Sequence, residues 1–433
     1  MRIIRADARE FREFFRKLRG RGTAFTPELL GRVAQIIQDV RLKGDEALFD
    51  YTKKFDGCEV NAAAVEATKA EIKEAASTVP AADREVLKLA ALRIEKYHRH
   101  QVAAGYILDE ENGVVLGQKI IPLERAGIYA PGGKASYPST LLMAAVPARI
   151  AGVKEIILAS PAKDGRLNPL IAAAAQIAGV DRIFKIGGAQ AVAAMAYGTQ
   201  TVPRVDIIAG PGNAYVAAAK KLVFGQVAID MIAGPSEVAI IADESADPAF
   251  AAADLLAQAE HDEMAAAVLF TASAQLAART ADEVKKQMQT LAKKNIIEAS
   301  LSQYGAIIIT DDIGQAVELA NLFAPEHLEL MVENPSFWLE QVRSAGSVFL
   351  GSYTPEALGD YTAGANHILP TEGTARFSSP LGVYDFYKRM SVLSFSQDAF
   401  NRLSGPTGRF ARMEGLDAHA NSIRVRSARS ENI

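Results

Sequence analysis

Residues 237–263 read EVAIIADESADPAFAAADLLAQAEHDE, and they predict one strand followed by one helix. The first part is a continuous apolar run of the kind found in parallel strands that are covered on both faces. Asp247 then offers a helix N-cap, and Pro248 fits the first helical position. The predicted helix runs toward residues 260–263, where three acidic side chains gather although a helix C-terminus disfavours negative charge. The stretch therefore predicts a strand–helix unit, and it marks the helix end as a candidate site.

The same alternation of short apolar strands and helices extends from about residue 114 to residue 380. Five further runs have the strand pattern: EIILAS (155–160), RIFKIGG (182–188), VDIIAGPG (205–212), AAVLFTAS (266–273) and GAIIIT (305–310). Strands that alternate with helices indicate parallel sheets covered on both faces, and so an α/β fold. The first hundred residues read as helical, with amphipathic patterns at 1–20, 26–44 and 80–100. After about residue 380 the strand pattern fades, which predicts a small appended region.

The composition is that of a globular protein with more than one domain: 433 residues, 49% apolar and 23% charged. A net charge of −4 gives no electrostatic footprint for nucleic acid or for an anionic membrane. No apolar run reaches the roughly 18 residues of a membrane span, and the N-terminus lacks the apolar core of a signal peptide. Cys58 is the one cysteine, which excludes an intrachain disulfide and fits a reducing cytoplasm. It has no nearby histidine, which disfavours a thiolate nucleophile and an aldehyde oxidation through a thioester.

Three glycine-containing turns follow predicted strands: GIYAPGGKAS (127–136), IGGAQAVAA (186–194) and AGPGNAYVAAAK (209–220). Gly210 and Gly212 form a G-x-G, but Tyr215 takes the place of the third glycine of a dinucleotide fingerprint. Gly127 lies one residue too far from Lys134 for a P-loop. Each turn alone is more typical of a tight turn than of a ligand site. Together, at the carboxyl ends of strands, they occur where an α/β fold binds a nucleotide.

The six histidines divide into two groups. His98 and His100 end a charged helix and are predicted to lie at the surface. Each of the other four stands near an acid or an amide that could help it to hold a metal or to exchange a proton: Gln258 with His261, Glu326 with His327, Asp360 with His367, and Glu414 with His419. No spacing forms a self-contained zinc signature such as H-E-x-x-H. The residues alone therefore indicate a plausible metal site with an acid–base pair, and a lone histidine of this kind is as often a surface or core group.

With these segments assembled, the sequence resembles the histidinol dehydrogenase family over nearly the whole chain. IDMIAGPSEVAIIAD (229–243) followed by ADLLAQAEHD (253–262) is similar to the family signature. Further family-like motifs occur in the family's order: YAPGGKASYPSTLLMAAVPARIAGV, GGAQAVAAMAYGT, GPGNAYVAAAK, FAPEHLE and GDYTAGANHILPT. No functional position departs from the family pattern.

The resemblance implies the NAD-dependent oxidation of L-histidinol to L-histidine through histidinal, the last two steps of histidine biosynthesis. It implies that one zinc ion is held by Gln258, His261, Asp360 and His419. It implies that NAD contacts Tyr129, Gln190 and Asn213, which lie in the three glycine turns. It implies that the substrate contacts Ser236, Gln258, His261, His327, Asp360, His367, Glu414 and His419. Within this set His327 would accept the alcohol proton, and Glu326 would activate the water that hydrates the aldehyde.

The chain is thus predicted to be α/β, with two Rossmann-like parallel-sheet domains that lack the full dinucleotide fingerprint and with small helical terminal regions. The expected parts are an N-terminal helical segment (1–22), an α/β domain with the metal ligands and the base pair (23–128 and 239–380), an α/β domain with the NAD contacts (129–238), and a small dimerisation region (381–433). The resemblance also implies a cytoplasmic homodimer in which Glu414 and His419 complete the neighbouring subunit's site.

Two other functions remain open from the residues. A zinc hydrolase could use a metal with a Glu-His pair for attack by water, although the three glycine turns disfavour it. A related zinc-dependent NAD dehydrogenase could oxidise a small diol or sulfonate on the same scaffold, although His367 and Glu414 favour an imidazole-bearing amino alcohol. A non-catalytic sugar- or nucleotide-binding protein is a more distant alternative.

Overall fold

A computed structural model describes residues 1–22, 25–110, 113–131 and 137–430 of the chain. The first part contains β1 (Arg2–Arg5), α1 (Arg9–Arg19), α2 (Pro27–Lys43), α3 (Asp45–Asp56), α4 (Lys69–Ser77), α5 (Ala81–His98), β2 (Tyr106–Glu110), β3 (Val114–Pro122) and β4 (Arg125–Tyr129). The middle part contains α6 (Pro138–Ala151), β5 (Glu155–Ala159), α7 (Pro169–Ala178), β6 (Arg182–Phe184), α8 (Gly188–Tyr197), β7 (Ile207–Ala209), α9 (Ala214–Val223), β8 (Ala228–Ile229), β9 (Glu237–Ala242), α10 (Pro248–Ala259), β10 (Ala266–Thr271), α11 (Ala274–Met288), α12 (Lys294–Tyr304) and β11 (Gly305–Ile309). The last part contains α13 (Ile313–Phe323), β12 (His327–Met331), α14 (Pro335–Leu339), β13 (Ser347–Leu350), α15 (Glu356–Tyr361), β14 (Tyr387–Phe395), α16 (Gln397–Met413) and α17 (Asp417–Ser430).

The opening stretch forms the strand–helix unit that its sequence predicts. Strand β9 is buried along its whole length, in accord with its continuous apolar run. The Asp247 carboxylate accepts a hydrogen bond from the Ala249 N–H at 2.8 Å, and Pro248 occupies the first turn of α10. The helix ends at Ala259, so His261 lies beyond the last helical turn and not on a helical face shared with Gln258.

Six parallel strands form one sheet, in the order β1-β11-β10-β9-β12-β13. The chain builds outward from β9 through β10 to β11, and it then returns to the other side of β9 with β12 and β13. The strand order therefore reverses between β9 and β12. Parallel strands with helical crossovers confirm the predicted α/β class.

Five parallel strands form a second sheet, in the order β6-β5-β4-β7-β8. Here the chain builds outward from β4 through β5 to β6, and it then continues on the other side of β4 with β7 and β8. The order reverses between β4 and β7, and in open α/β sheets such a point is where ligands bind at the carboxyl ends of the strands.

Two features of the N-terminal part differ from the predictions. Residues 2–5 form β1 at the edge of the six-stranded sheet and not the start of a helix, because their backbone pairs with β11, about 300 residues away. The helices between residues 27 and 98 were expected to belong with residues 239–380. Their apolar faces pack instead on the five-stranded sheet: Val33, Val40 and Leu48 share a core with Phe184 and Ile208.

The chain divides into two compact units, residues 1–101 with 123–386 and residues 102–122 with 387–433. Both parallel sheets belong to the first unit. The second unit was expected to be small and helical, but it contains an antiparallel sheet in the order β14-β3-β2 together with α16 and α17. Strand β14 pairs with β3 from Tyr387↔Pro122 to Phe395↔Val114. Eight of its nine residues are exposed, so β14 lacks the buried apolar pattern by which strands are recognised. Among the described residues no helix is long and apolar enough to cross a membrane.

Gly210, at the reversal point of the five-stranded sheet, gives a direct test of this packing. Its φ is +118°, and a Cβ there would lie 2.1 Å from the carbonyl oxygen of Tyr129. Gly225 is a matched control, because its φ is +97° but a Cβ would meet no atom within 4 Å. We expect Gly225→Ala to lower the free energy of unfolding by about 1–3 kcal/mol through backbone strain. Gly210→Ala adds the backbone clash, which we expect to cost about 1–3 kcal/mol more. The urea concentrations at half-unfolding measure both, and equal shifts would contradict a close approach at Gly210.

Candidate active site

The candidate site begins where the first residues of β9 and β12 lie side by side at the reversal point of the six-stranded sheet. The Glu237 N–H donates to the carboxylate of Glu326 at 3.0 Å, and the Glu326 N–H donates to the carboxylate of Glu237 at 3.1 Å. The Ser236 hydroxyl also donates to Glu326. Burial raises the pKa of Glu326. The two glutamates thus fix each other's backbone and side chain, and Glu326 is held as a buried carboxyl group that can accept a proton.

His327 is the first residue of β12, and its buried imidazole is surrounded by acceptors. Its Nδ1 lies 3.2 Å from the carbonyl oxygen of Glu237 and 3.8 Å from carboxylate oxygens of both Glu326 and Glu356. Its Nε2 lies 3.5 Å from a carboxylate oxygen of Asp360. Burial by itself lowers the pKa of His327, but the three carboxylates outweigh it and raise that pKa well above the ordinary value. The imidazole is therefore set up to take and hold a proton.

A candidate metal site adjoins His327. One ligand atom each from His261, Glu356 and Asp360 lie within 4.8 Å of one another. Gln258, in the last turn of α10, is buried beside them. When the amide is turned so that its nitrogen faces these acceptors, the nitrogen lies 2.9 and 3.1 Å from the two carboxylate oxygens of Glu356 and 3.2 Å from the carbonyl oxygen of Glu237. The amide oxygen is then the atom that Gln258 can offer to a metal. Oxygen and imidazole nitrogen donors of this kind suit zinc and other divalent first-row ions.

The loop after α15 brings His367 to the same region. The His367 Nδ1 lies 2.7 Å from the carbonyl oxygen of Asp360, and its Nε2 lies 3.4 Å from the Thr140 hydroxyl. The neighbouring Asn366 is buried, and its amide donates to the Met143 carbonyl oxygen at 2.7 Å. His367 is thus held between the Asp360 carbonyl oxygen and the Thr140 side chain of α6, and its role as a site residue stays a prediction.

His98 was predicted to lie at the surface, and this prediction is wrong. The side chain is fully buried. Its Nδ1 bonds to the carbonyl oxygen of Ile94 at 2.8 Å, and its Nε2 lies 3.3 Å from the Asn366 amide. Burial lowers the pKa of His98, so the ring is neutral and supports the loop that carries His367. The partner lies 268 residues away in sequence, and no local pattern could have indicated it.

Three buried carboxyl groups near His327 were missed from the sequence: Asp254, Glu329 and Glu356. Glu329 accepts a hydrogen bond from the Glu356 N–H at 2.8 Å and pairs with the Asp254 side chain. Burial raises the pKa of Glu356 to about 8, although His327 opposes the rise. One signal was available: Glu329 stands inside the apolar strand HLELM, and an acid inside a buried strand requires a partner.

The three predicted NAD contacts lie at the carboxyl ends of the five-stranded sheet. Tyr129 ends β4, and its hydroxyl accepts a hydrogen bond from the Gly188 N–H at 3.1 Å. Gln190, in the first turn of α8, is buried and donates to Asp56 at 3.2 Å. Asn213 caps α9, because its side-chain oxygen accepts from two N–H groups of the first turn, at 3.0 and 3.2 Å. Gly132, Gly133 and Lys134 of the first glycine turn lie outside the described residues.

Ser236 precedes β9, so it lies beside Glu326 and His327. Glu414 and His419 belong to the second unit, where Glu414 caps the C-terminus of α16 and His419 lies in α17. Both side chains are exposed. Their part in an active site remains a prediction.

The chain is similar to known proteins over nearly its whole length. The family model described as histidinol dehydrogenase matches residues 20–427. A histidinol dehydrogenase from Syntrophotalea carbinolica is 51% identical over 426 residues, which cover 98% of this chain and 99% of that protein. One from Clostridium acetobutylicum is 49% identical over 427 residues, with 98% and 99% covered. The crystal structure of histidinol dehydrogenase from Elizabethkingia anophelis superimposes with a TM-score of 0.91 at 38% identity, and 97% of each chain is covered.

Proposed function

The chain belongs to the histidinol dehydrogenase family, and we propose that it oxidises L-histidinol to L-histidine in one site with two NAD and one zinc ion. The observation that carries the proposal is the Glu326–His327 pair, which is held directly against the candidate metal group of His261 and Asp360. An acid–base pair beside a cation site suits the oxidation of an alcohol whose other polar groups must be anchored. The single buried Cys58 fits a cytoplasmic enzyme that uses no thioester.

The reaction balances in three stages. The primary alcohol gives up a hydride to NAD and a proton to the protein, which yields histidinal, NADH and one proton. Water adds to the aldehyde to form the hydrate. The hydrate then gives up a second hydride to a second NAD, which yields the carboxylate, NADH and two more protons.

His327 and Glu326 take the two proton roles. His327 accepts the proton of the alcohol and later that of the hydrate, because three carboxylates stabilise its charged form. Glu326 removes a proton from the water that attacks the aldehyde, because it is a buried carboxylate with a raised pKa held by the Glu237 N–H and the Ser236 hydroxyl. The two side chains are neighbours in sequence, and the His327 Nδ1 lies 3.8 Å from a carboxylate oxygen of Glu326, so one substrate carbon can be served by both.

The side chains present fit a zinc ion. Gln258, His261 and Asp360 would hold it from the first unit, with His419 of a second copy of the chain as a further ligand. A bound zinc ion would anchor the imidazole and amino nitrogens of the substrate. Glu356 and the Glu237 carbonyl oxygen would orient the Gln258 amide by accepting from its nitrogen, so that the amide oxygen would be free to face a bound ion.

NAD would lie at the carboxyl ends of β4, β6 and β7 and accept the hydride there. Tyr129, Gln190 and Asn213 stand at these three strand ends, and the helices α8 and α9 begin beside them. Backbone N–H groups at helix N-termini favour phosphate groups, which supports the pyrophosphate of NAD at this edge.

A homodimer with exchanged C-terminal residues is supported by the apolar surface of the second unit. Large apolar side chains there are mostly solvent-exposed in the isolated chain: Ile107, Leu393, Phe410 and Met413 have exposed fractions of 72%, 66%, 61% and 73%. Soluble proteins rarely leave such surface uncovered, and a second copy would bury it on both chains. Glu414 lies next to Met413 on this unit, so the contact would also carry Glu414 and His419 to the partner.

The number of NADH formed per histidinol tests the proposed function. We expect two NADH for each histidinol consumed, with little histidinal released, because one site holds both bases. Absorbance at the NADH band, together with chemical trapping of free aldehyde, measures this. One NADH with accumulating histidinal would contradict a single site, and no NADH at all would favour the hydrolase alternative.

Zinc affinity tests the ligand set without relying on activity. Gln258 offers a neutral amide oxygen, so we expect Gln258→Ala to weaken zinc binding about 10-fold, and His261→Ala to weaken it by more than about 100-fold. Competition with a chromogenic chelator measures both dissociation constants. Glu263→Gln is the control, since Glu263 is an exposed acid on the same turn and should not alter the affinity. Equal affinities for the His261 and Glu263 variants would remove His261 from the site.

Complementation between variants tests the exchange of His419. Homodimers of His261→Ala and of His419→Ala should each be nearly inactive. If the two are unfolded and refolded together, about half of the dimers are mixed, and each mixed dimer contains one intact site. About a quarter of all sites should then recover activity. Mixed dimers that are confirmed by mass spectrometry but are inactive would place His419 in its own chain's site.

A further inference from the structure

A buried ion pair adjoins Glu326, and no predicted role includes it. The guanidinium of Arg21 is 2.9 Å from a carboxylate oxygen of Glu237, and the two side chains are 0% and 2% exposed. Arg21 follows α1, so this pair joins the N-terminal segment to the first residue of β9. Among the described residues, neither the Arg21 nor the Glu237 side chain forms a hydrogen bond with His261 or Asp360 of the candidate metal group.

Three donors converge on the Glu237 carboxylate. One oxygen accepts from Arg21 and from the Glu372 N–H at 3.2 Å, and the other accepts from the Glu326 N–H at 3.1 Å. Glu372 has a φ of +57°, a conformation that a non-glycine residue adopts at a cost of about 1 kcal/mol or more. Glu372 therefore keeps a strained backbone conformation in which its N–H donates to the Glu237 carboxyl group.

Arg21 also fixes the segment that leads into β9. Among the described residues, the side-chain hydrogen bonds of Arg21 come from Nη2, which donates to the carbonyl oxygens of Pro235 and Ser236 at 3.0 and 3.2 Å as well as to Glu237. Ser236 in turn donates to Glu326. Both groups that hold the Glu326 carboxylate, the Ser236 hydroxyl and the Glu237 N–H, thus belong to residues that Arg21 binds.

We propose that Arg21 and Glu237 are positioning residues for the hydration of the aldehyde, because they aim the Glu326 carboxylate. The proposal rests on the proposed role of Glu326 as the base for that step. Arg21 binds the Glu237 carboxyl group, which in turn anchors the backbone of Glu326. The Ser236–Glu237 segment holds the Glu326 carboxylate. A general base must lie within hydrogen-bond reach of its water, and a displacement of about 1 Å can cost about 100-fold in rate.

This arrangement separates the two half-reactions. The first hydride transfer needs His327, whose side-chain contacts to Glu356 and Asp360 do not involve Arg21 or the Glu237 carboxyl group. The Glu237 carbonyl oxygen also faces His327, but it is a backbone atom that Arg21→Met and Glu237→Gln both retain. The hydration needs Glu326. A loss of the ion pair should therefore slow the oxidation of histidinal much more than the oxidation of histidinol. A merely structural ion pair would slow both half-reactions together.

The test uses the zinc-loaded enzyme and measures each half-reaction by itself. The first hydride transfer from histidinol is followed in a single turnover, and kcat and KM are measured with histidinal as the substrate. We expect Arg21→Met to lower kcat for histidinal by about 10- to 100-fold, with KM and the first hydride transfer changed by less than about threefold. Arg21→Lys should recover most of the loss, because one ammonium can supply the three bonds that Nη2 makes.

Glu237→Gln should have the same selectivity as Arg21→Met. The amide offers one oxygen and one NH2 group to three converging donors, so at least one N–H loses its acceptor. If Arg21→Met does not fold, Arg21→Lys and Glu237→Gln carry the test.

Arg182→Met is the matched control, because it removes a paired arginine from the five-stranded sheet, where Arg182 bonds to Glu66 at 2.7 and 2.9 Å. It should change neither half-reaction.

Glu326→Gln separates this inference from the proposed role of Glu326. A selective loss in Glu326→Gln, with Arg21→Met adding little in the double variant, supports both. A selective loss in Glu326→Gln together with equal losses for both half-reactions in the Arg21 and Glu237 variants overturns the positioning role alone. Equal losses in Glu326→Gln overturn the role of Glu326 itself. A selective loss in Arg182→Met would assign the effect to general destabilisation and would also overturn the inference.

Discussion

The exchange of hydrogen bonds between Glu237 and Glu326 is the constraint around which the rest of the site is arranged. It ties the first residue of β9 to the residue that precedes β12, at the point where the strand order of the six-stranded sheet reverses. The same link fixes the Glu237 carbonyl oxygen, which faces both the imidazole of His327 and the amide of Gln258. The backbone of Glu237 thus contacts Glu326, His327 and Gln258. These three contacts leave little conformational freedom to the backbone at the start of β9. This explains why Arg21 is brought from the N-terminal segment to secure it.

Negative charge is the second determinant of the site. Buried carboxylates are costly unless they are paired, and Glu326, Glu356 and Asp360 all face His327. Their combined effect raises the pKa of His327, while His327 and the neighbouring imidazoles lower the pKa of Asp360 despite its burial. A divalent cation bound beside Asp360 would compensate the remaining charge. The acid-rich surroundings are therefore a reason to expect a cation in the proposed site, and not only a set of ligands for one.

The sequence predicted the parts of this arrangement that depend on local pattern. A few consecutive residues are enough to recognise the apolar run of β9, the cap at Asp247 and the Glu326–His327 pair. The structure confirms the strand and the helix start. Hydrogen-bond and strand-pairing partners that are distant in sequence could not be predicted. His98 was misplaced because its partner is 268 residues away, and β1 was missed because only its pairing with β11 makes it a strand. Strand β14 was missed for the opposite reason: it buries almost nothing within its own chain, so its sequence lacks a core-facing period.

The two parallel sheets place their candidate ligands at opposite strand ends, and helix polarity explains why. At the carboxyl ends of the five-stranded sheet, α8 and α9 begin, and their free N–H groups favour the phosphates of a dinucleotide. At the amino ends of β9 and β12, helix α10 instead ends, as the bond from the Gln258 amide to the Glu237 carbonyl oxygen shows. A helix C-terminus presents carbonyl oxygens and partial negative charge, which favours a cation and opposes an anion. The C-terminus of α10 thus favours a divalent ion beside Gln258, whereas Asp262 and Glu263, the acids that follow it, are exposed and lie outside the proposed ligand set.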